Sequence, residues 1–250
     1  MRPRRFWLAM QFLTRFPTPA ASGFSPRELS SSAAWFPLMG VMVGALVALV
    51  AVTLGARHPL LGAALGVLAW TWATGALHLD GLADLADALA ASHRDQTRFL
   101  AVLRDPRHGT FGVVSIAIAL LVKFGGLVEL ASAAASPLQS WLALPVIAGW
   151  ARLGPLAWSR SLEPVAGGQG ERFAWELTWS PIVLWGALLL VASAAIAPAL
   201  CIAPLVIAGW AAWLRRRIGG FTGDCLGAGV EVVEVVLLVV VVLVPISLRA

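Results

Sequence analysis

The sequence predicts an all-α integral membrane protein: a single domain over residues 1–250, built as a bundle of about seven transmembrane helices with an N-terminal interfacial helix. Hydrophobic residues make up 59% of the chain, and charged residues only 12%, whereas about a quarter of the residues in soluble domains are charged. The mean hydropathy is +0.84, and apolar runs of about 20 residues, the length that crosses a bilayer, recur along the chain. The two cysteines show neither a disulfide framework nor a zinc-binding spacing.

The first element is predicted to be an amphipathic helix within residues 1–19 that lies at the membrane surface. Its apolar part is short and interrupted by Gln11 and Arg15, which is not typical of a cleaved signal peptide. The arginines are expected to face lipid headgroups, and the large apolar side chains are expected to face lipid. These apolar residues are Phe6, Trp7, Leu8, Phe12 and Phe16.

Seven apolar segments follow, and each is predicted to span the membrane. Gly40 and Gly44 form a G-x-x-x-G pattern in the first, which favours close helix packing inside the bundle. The fifth and sixth are short and are divided only by the sequence APAL, so they form either a tight hairpin or a re-entrant element. The expected spans are 33–54, 59–78, 110–131, 140–158, 181–197, 199–214 and 230–247.

The arginines predict the orientation of the bundle. With seven spans, every arginine-rich segment falls on one side, which the positive-inside rule makes cytoplasmic. The N-terminus is then cytoplasmic, and the net charge of +5 indicates membrane orientation, not nucleic-acid binding. All six aspartates lie in two segments on that same side, so we expect segments 78–109 and 215–231 to form one cytoplasmic site.

Three of these aspartates follow the second apolar run at i, i+4 and i+7. Asp80, Asp84 and Asp87 would share one face of a helix and repel each other unless a cation binds there. Oxygen ligands without a Cys or His cluster suit Mg²⁺, Mn²⁺ or Ca²⁺. The alternative is a solvated helix face partnered by Arg94 and Arg98. His78 would lie opposite the acids, in a capping or packing role.

The stretch LRDPRHGTFG (103–112) has the features of an anion site. Arginine forks suit phosphate, and glycine with backbone amides at a helix N-terminus binds anions. The alternative is an ordinary turn whose arginines reach lipid headgroups. The polar residues concerned are Arg104, Asp105, Arg107 and His108.

The third stretch, RRRIGGFTGDCLGAGVEVVE (215–234), combines glycines with a fourth site aspartate. Its glycines would let the backbone approach another group closely, although such a pattern is weak evidence alone. A helix beginning near Gly223 would place Asp224 and Glu231 on one face, with Glu234 nearby; the alternative for the two glutamates is pairing with arginines of other helices. The remaining candidate residues are Gly219, Gly220 and Thr222.

Two cations lie inside expected spans. Arg152 in the fourth span could contact a substrate phosphate or pair with an acid, since a charge there usually faces the bundle interior. Lys123 in the third span could pair with an acid of another helix or reach toward the membrane surface.

Together these patterns indicate a divalent-metal site that handles phosphate at the cytoplasmic end of a helical bundle. Such a site suits a transferase that acts on a pyrophosphate-linked donor, in which the metal stabilises the departing phosphate. No nucleophilic Ser/His/Asp arrangement is evident, so direct displacement is the simpler route.

Five stretches in order along the chain resemble the cobalamin synthase family, the adenosylcobinamide-GDP ribazoletransferases. The aspartate stretch, the R-D-x-R-x-G-T-F-G stretch and the G-G-x-T-G-D stretch are together the most specific. The stretches are FLTRFPTP (12–19), FPLMGVMVGAL (36–46), GALHLDGLADLADAL (75–89), LRDPRHGTFGV (103–113) and GGFTGDCLGAGVEVVE (219–234).

The resemblance implies a Mg²⁺-dependent enzyme of the inner or plasma membrane, which completes the nucleotide loop of cobalamin. The 5′ group of α-ribazole, or of its 5′-phosphate, attacks the pyrophosphate of adenosylcobinamide-GDP; GMP leaves, and adenosylcobalamin or its 5′-phosphate forms. Carried onto this chain, it assigns Asp80, Asp84, Asp87 and Asp224 to Mg²⁺ and the pyrophosphate, with Asp84 or Asp87 as general base. Phosphate contacts fall to Arg104 and Arg107, with His108 a weaker candidate, and the pocket to Gly219, Gly220, Thr222 and Gly223.

Two other classes of protein stay open at this point. A CDP-alcohol phosphotransferase also uses clustered aspartates on membrane helices, but its longer Asp-Gly, Ala-Arg and Gly-spaced signature is not reproduced here. A cation-coupled transporter would place its acids near the midplane and often shows inverted repeats, whereas these acids lie at one boundary. A homo-oligomer is compatible with every one of these functions.

Overall fold

The computed structural model describes residues 3–19, 25–55, 57–93, 95–103, 105, 107, 109–132, 137–165 and 177–244. Within these ranges the regular elements are helices, joined by one isolated bridge between Pro164 and Phe221. The predicted all-α fold is therefore confirmed. In chain order the α-helices are α1 (Pro3–Leu13), α2 (Pro26–Ser32), α3 (Phe36–Gly55), α4 (Pro59–Thr74), α5 (Leu77–Ser92), α6 (Gln96–Leu103), α7 (Thr110–Ser132), α8 (Pro137–Ser161), α9 (Trp179–Ile196), α10 (Ala203–Arg217) and α11 (Gly223–Leu243).

Several helices are long and apolar enough to cross a membrane. In the described ranges there are five such segments, or six if the bent pair α4 and α5 counts as one span. Helix α8, at the expected fourth span, is not among them, because Arg152 and two internal prolines lower its hydropathy. A count of seven stays a prediction. The five segments are Ser30–Gly55, Thr110–Ser132, Trp179–Ile196, Pro198–Arg217 and Gly223–Leu243.

The second expected span, 59–78, is wrong at its end because the helix breaks at Gly75 and Ala76. Both residues have left-handed backbone angles, with φ of 61° and 59°, and the Gly75 amide donates to the Trp72 carbonyl at 3.1 Å. A left-handed residue is the common way for a helix to stop. Helix α5 then leaves at an angle of 87° to α4, and it carries the three aspartates.

The last span begins seven residues earlier than the expected range 230–247. Helix α11 starts at Gly223, and the side chain of Thr222 caps it by accepting a hydrogen bond from the Cys225 amide at 3.3 Å. The glycine-rich stretch is helical here because its small residues pack tightly. A Cβ at Gly229 would lie 2.5 Å from the Trp158 ring, so only glycine fits at this contact.

The bundle is centred on two sets of packed helices: α3 against α4 and α8, and α11 against α5 and α8. Gly40 and Gly44 lie directly on the α8 backbone near Ala148 and Leu144. This confirms that the G-x-x-x-G pattern serves helix packing inside the bundle. The fifth and sixth expected spans are separate helices, joined by the 3₁₀ turn Pro198–Ile202.

Helix α1 exists as expected, but its apolar face does not all point to lipid. Leu8 and Met10 are buried in the core, and Phe12 stacks on Phe36 of α3 with ring centroids 5.9 Å apart. The physical cause is that α1 lies against α3 and α2, which offer apolar surface for the same side chains.

Candidate functional site

The three aspartates of α5 lie on its less buried side, as the i, i+4, i+7 spacing predicts. Asp80 is exposed, and Asp84 and Asp87 are partly buried, whereas their neighbours Leu79 and Ala83 are buried. His78 is also buried, which confirms its expected place opposite the acids. Helix α5 thus presents carboxylates along one edge and packs its other side into the bundle.

The structure brings Asp224 to the start of this acidic edge. Gly81 permits the approach, because a Cβ there would lie 2.9 Å from the Asp224 carbonyl oxygen and 3.1 Å from its Cα. Asp224 is partly buried, hydrogen-bonds to Thr222 and is repelled electrostatically by Asp80. The two segments, more than 140 residues apart in the chain, are therefore packed together at Gly81 and Asp224. That they form one cytoplasmic site stays a prediction.

Asp87 has a different environment at the other end of the edge. Its carboxylate accepts hydrogen bonds from the backbone amides of Gly109, at 2.6 Å, and Gly112, at 2.9 Å. These amides belong to the start of α7, where the helix dipole favours a negative charge. The anion site expected at 103–112 is thus partly filled by one of the chain's own carboxylates.

The segment before α7 carries a close ion pair. The Arg107 guanidinium donates two hydrogen bonds to the Asp105 carboxylate, at 2.9 and 2.7 Å, and the Arg107 amide donates a third. These bonds to Arg107 lower the pKa of Asp105 to about 2. The Arg107 side chain is 86% exposed, so it can exchange this partner for a phosphate. Arg104 and His108 lie outside the described residues.

The glycines before α11 have structural partners within the chain. Gly220 is buried against the Glu163 carbonyl, and backbone hydrogen bonds join Phe221 to Glu163 and Val165, both at 3.0 Å. Gly219 has a φ of 84°, and a Cβ there would have no described atom within 4 Å. Thr222 is buried as the helix cap, and Gly223 is exposed. Their role in a substrate pocket stays a prediction.

A cluster of buried charges lies deeper in the bundle. Lys123 of α7 binds Glu231 at 2.7 Å and Glu234 at 2.5 Å, both on α11. Arg152 of α8 pairs with Glu234, and the Trp70 indole of α4 donates to the same carboxylate at 3.1 Å. The cluster holds two cations and two anions, so it is neutral and links four helices. Pairing of Lys123 with an acid of another helix is thereby confirmed.

The sequence left open that the glutamates pair with arginines of other helices, and Glu234 does pair with Arg152. The sequence did not show that Glu234 also binds Lys123 or that the Trp70 indole donates to it. In the described part of the chain, His78 Nδ1 and Arg152 Nη2 are buried without a hydrogen-bond partner. Arg15 packs its guanidinium on Gly75 at the break before α5. Substrate contact by Arg152 stays a prediction.

The arrangement can bind a cation and a phosphate in different parts of one surface. Among the described residues, no group of three or more His, Cys, Asp or Glu side chains is already arranged to hold a metal ion. Mg²⁺ often uses only one or two protein carboxylates, with water and substrate phosphate completing its six ligands. Asp80 and Asp224 are a donor set of that kind.

This fold and site define a polytopic helical membrane protein with an acidic surface at one end and arginine close by. The family model described as cobalamin-5-phosphate synthase matches residues 5–242. The chain therefore belongs to the cobalamin-5-phosphate synthase family, as its five stretches suggested.

Curated relatives match along nearly the full length. A protein of Laribacter hongkongensis is 47% identical over 240 residues, 96% of each chain; one of Thiobacillus denitrificans is 46% identical over 90% of this chain and 89% of its own. A third, from Novosphingobium aromaticivorans, is 43% identical over 94% of each chain. All three carry the name adenosylcobinamide-GDP ribazoletransferase. No solved structure matches this chain.

Proposed function

We propose that this protein transfers the adenosylcobinamide-phosphate moiety of adenosylcobinamide-GDP to α-ribazole, or to α-ribazole 5′-phosphate, with release of GMP. The observation that carries the proposal is the packing of Asp224 against Gly81, beside Asp80, close enough for the two carboxylates to repel each other. The names of the full-length relatives supply the substrates. The products are adenosylcobalamin or its 5′-phosphate.

Mg²⁺ is the proposed cofactor, with Asp80, Asp84 and Asp224 as its protein ligands. The donor set fits, because these are oxygen donors, two of them are held close together, and their mutual repulsion falls when a cation binds. When bound, the ion neutralises the pyrophosphate and stabilises the departing GMP.

The rest of the site positions the two substrates for in-line displacement. The attacking group is a free ribose hydroxyl of the ribazole other than the 5′ group, because α-ribazole 5′-phosphate keeps its 5′-phosphate in the product. The oxygen of this hydroxyl forms a bond to the phosphorus on the cobinamide side, and the bond from that phosphorus to the GMP oxygen breaks. Asp84 is proposed to take the proton of this hydroxyl, since it lies on the same edge one turn from Asp80. Arg107, with Arg104 and His108, is proposed to hold the phosphates by charged hydrogen bonds.

We further propose the inner membrane as the location, with the site facing the cytoplasm. The arginines after α6 and those in the last turn of α10 would then lie on the side where the positive-inside rule puts them. A cytoplasmic site also meets the nucleotide-linked donor in the compartment that holds nucleotides.

The direct test is turnover by purified protein in nanodiscs, given adenosylcobinamide-GDP, α-ribazole and Mg²⁺, with cobalamin and GMP separated by chromatography. We expect product that is lost with EDTA and reduced at least a hundredfold in Asp80→Asn, as is usual when a charge stabiliser is removed at a reacting centre (about 10²–10³). The matched control is Glu129→Gln, an exposed acid near the far end of α7. Folded protein that forms no product with either ribazole would contradict the proposal.

A further inference from the structure

Asp87 is bound on both carboxylate oxygens, unlike a carboxylate that waits for a metal. Oδ2 accepts the Gly109 amide at 2.6 Å, and Oδ1 accepts the Gly112 amide at 2.9 Å. The bond from Gly109 is short for an N–H···O pair, as is typical of a charged acceptor, and the bond from Gly112 has the ordinary length. Each oxygen keeps a second lone pair, but a carboxylate that turned toward a metal beside Asp80 would leave helix N-terminal amides without their partner.

The glycines at this contact leave just enough room for the Asp87 carboxylate. A Cβ at Gly109 would lie 2.5 Å from Asp87 Oδ1, and a Cβ at Gly112 would also collide with the carboxylate. At Gly112 the same Cβ would lie 3.1 Å from the Cβ and the carbonyl oxygen of Ala83. Glycine at both positions therefore lets α7 approach α5 closely enough for Asp87 to reach the two amides.

The contact between Asp87 and Gly109 also bears on Arg107, which precedes α7. Gly109 is two residues beyond Arg107 and directly follows the stretch that holds Arg104 and His108. Fixing the Gly109 amide on α5 therefore limits where Arg107 can lie. The opposite end of the same acidic edge carries Asp80 beside Asp224.

We infer that Asp87 is a positioning residue that anchors Gly109 and the start of α7 to α5, two residues after Arg107, and is not a ligand of the metal. The inference rests on the proposed function and assigns two different roles to the carboxylates along the acidic edge of α5. Asp80, Asp84 and Asp224 hold the cation, and Asp87 sets the distance between the cation and the phosphate-binding Arg107.

Kinetic constants separate this role from metal ligation. Asparagine can accept one of the two amide hydrogen bonds, whereas alanine accepts neither. We expect Asp87→Ala to raise the KM for adenosylcobinamide-GDP about tenfold, the size of a lost helix cap, and Asp87→Asn to raise it less. The Mg²⁺ concentration for half-maximal activity should stay at the wild-type value in both variants, and Asp80→Asn, the comparison variant, should raise it.

Hydrogen exchange tests the anchor without relying on turnover. The amides of Gly109 and Gly112 should exchange faster in Asp87→Ala than in wild type, with Asp87→Asn between them and with α9 unchanged as an internal control for folding. If wild-type protein shows no transfer, the proposed function fails, and this exchange pattern still decides whether Asp87 anchors α7.

Two results would overturn the inference. One is a rise in the half-maximal Mg²⁺ concentration in Asp87→Asn that equals the rise in Asp80→Asn, since a metal ligand cannot lose its charge without weakening the binding of the ion. The other is unchanged amide exchange at Gly109 and Gly112 in folded Asp87→Ala, because the contact would then hold nothing in place.

Discussion

At the scale of single residues, the strongest constraint inside the bundle is the carboxylate of Glu234. It is fully buried and is shared by Lys123, Arg152 and the Trp70 indole. Burying charges is costly unless each is paired, so the neutrality of the four-residue cluster is what makes it tolerable. The Lys123 ammonium also lies 4.4 Å from the centre of the Trp70 ring, which adds a cation–π contact.

Removing the charge of Glu234 should therefore destabilise the fold. In Glu234→Gln two buried cations share one anion, Glu231, and loss of one partner from a buried pair costs about 3–5 kcal/mol. We expect a clearly lower Tm in detergent, measured by tryptophan fluorescence, with Glu129→Gln close to wild type. A second substitution, Arg152→Gln, restores neutrality and should make the double variant less unstable than the two single losses added together. Equal Tm values for Glu234→Gln and Glu129→Gln would contradict this account.

The sequence predicted which residues are chemically unusual better than it predicted their partners. Acids at i, i+4 and i+7 define one helix face whatever the tertiary structure, so the edge of α5 was predictable from spacing alone. The pairing of Lys123 with Glu231 was not, because 108 residues separate them and helix packing alone decides which acid is near. The hydrogen bonds that the amides of Gly109 and Gly112 donate to Asp87 could not be predicted for the same reason.

At the scale of elements, the site depends on the crossing of α5 and α11. Gly81 on α5 lies over the backbone of Asp224, and Gly227 on α11 would place a Cβ 3.6 Å from the Cα of His78. Periodicity and composition located the helices well, yet they missed the break at Gly75 and Ala76. The left-handed conformation of these two residues depends on local backbone hydrogen bonds. The apolar sequence continues through them, so the hydropathy pattern gives no sign of the break.

Alanine at Gly81 should push the two helices apart. Its Cβ would need to occupy space 2.9 Å from the Asp224 carbonyl oxygen, so we expect weaker Mg²⁺ activation and a lower Tm. The matched control is Gly125→Ala on α7, where a Cβ would meet no described atom within 4 Å. That change should be neutral or stabilising by up to about 1 kcal/mol, because alanine favours a helix over glycine. A Gly81→Ala protein with wild-type Mg²⁺ dependence would mean that the crossing does not set the distance between Asp80 and Asp224.

At the scale of the whole molecule, orientation follows from where the charges lie on each helix. Helix α10 runs from the turn that contains Cys201 to three arginines, Arg215–Arg217. Together with the preceding turn it forms the 20-residue apolar segment Pro198–Arg217, which is long enough to cross a membrane. If it spans, the positive-inside rule would put the arginine end, and with it Asp224, on the cytoplasmic side, as proposed.

The two native cysteines make this orientation measurable. Cys201 is exposed and Cys225 is buried, so we expect a membrane-impermeant maleimide to label Cys201 in right-side-out spheroplasts. In a Cys201→Ser background, Arg216→Cys should be labelled only in inverted vesicles, because Arg216 is exposed at the opposite end of α10. Labelling of Arg216→Cys in intact spheroplasts would place the aspartates outside the cell. The nucleotide-linked donor would then have to reach them there, which the proposed cytoplasmic reaction does not allow.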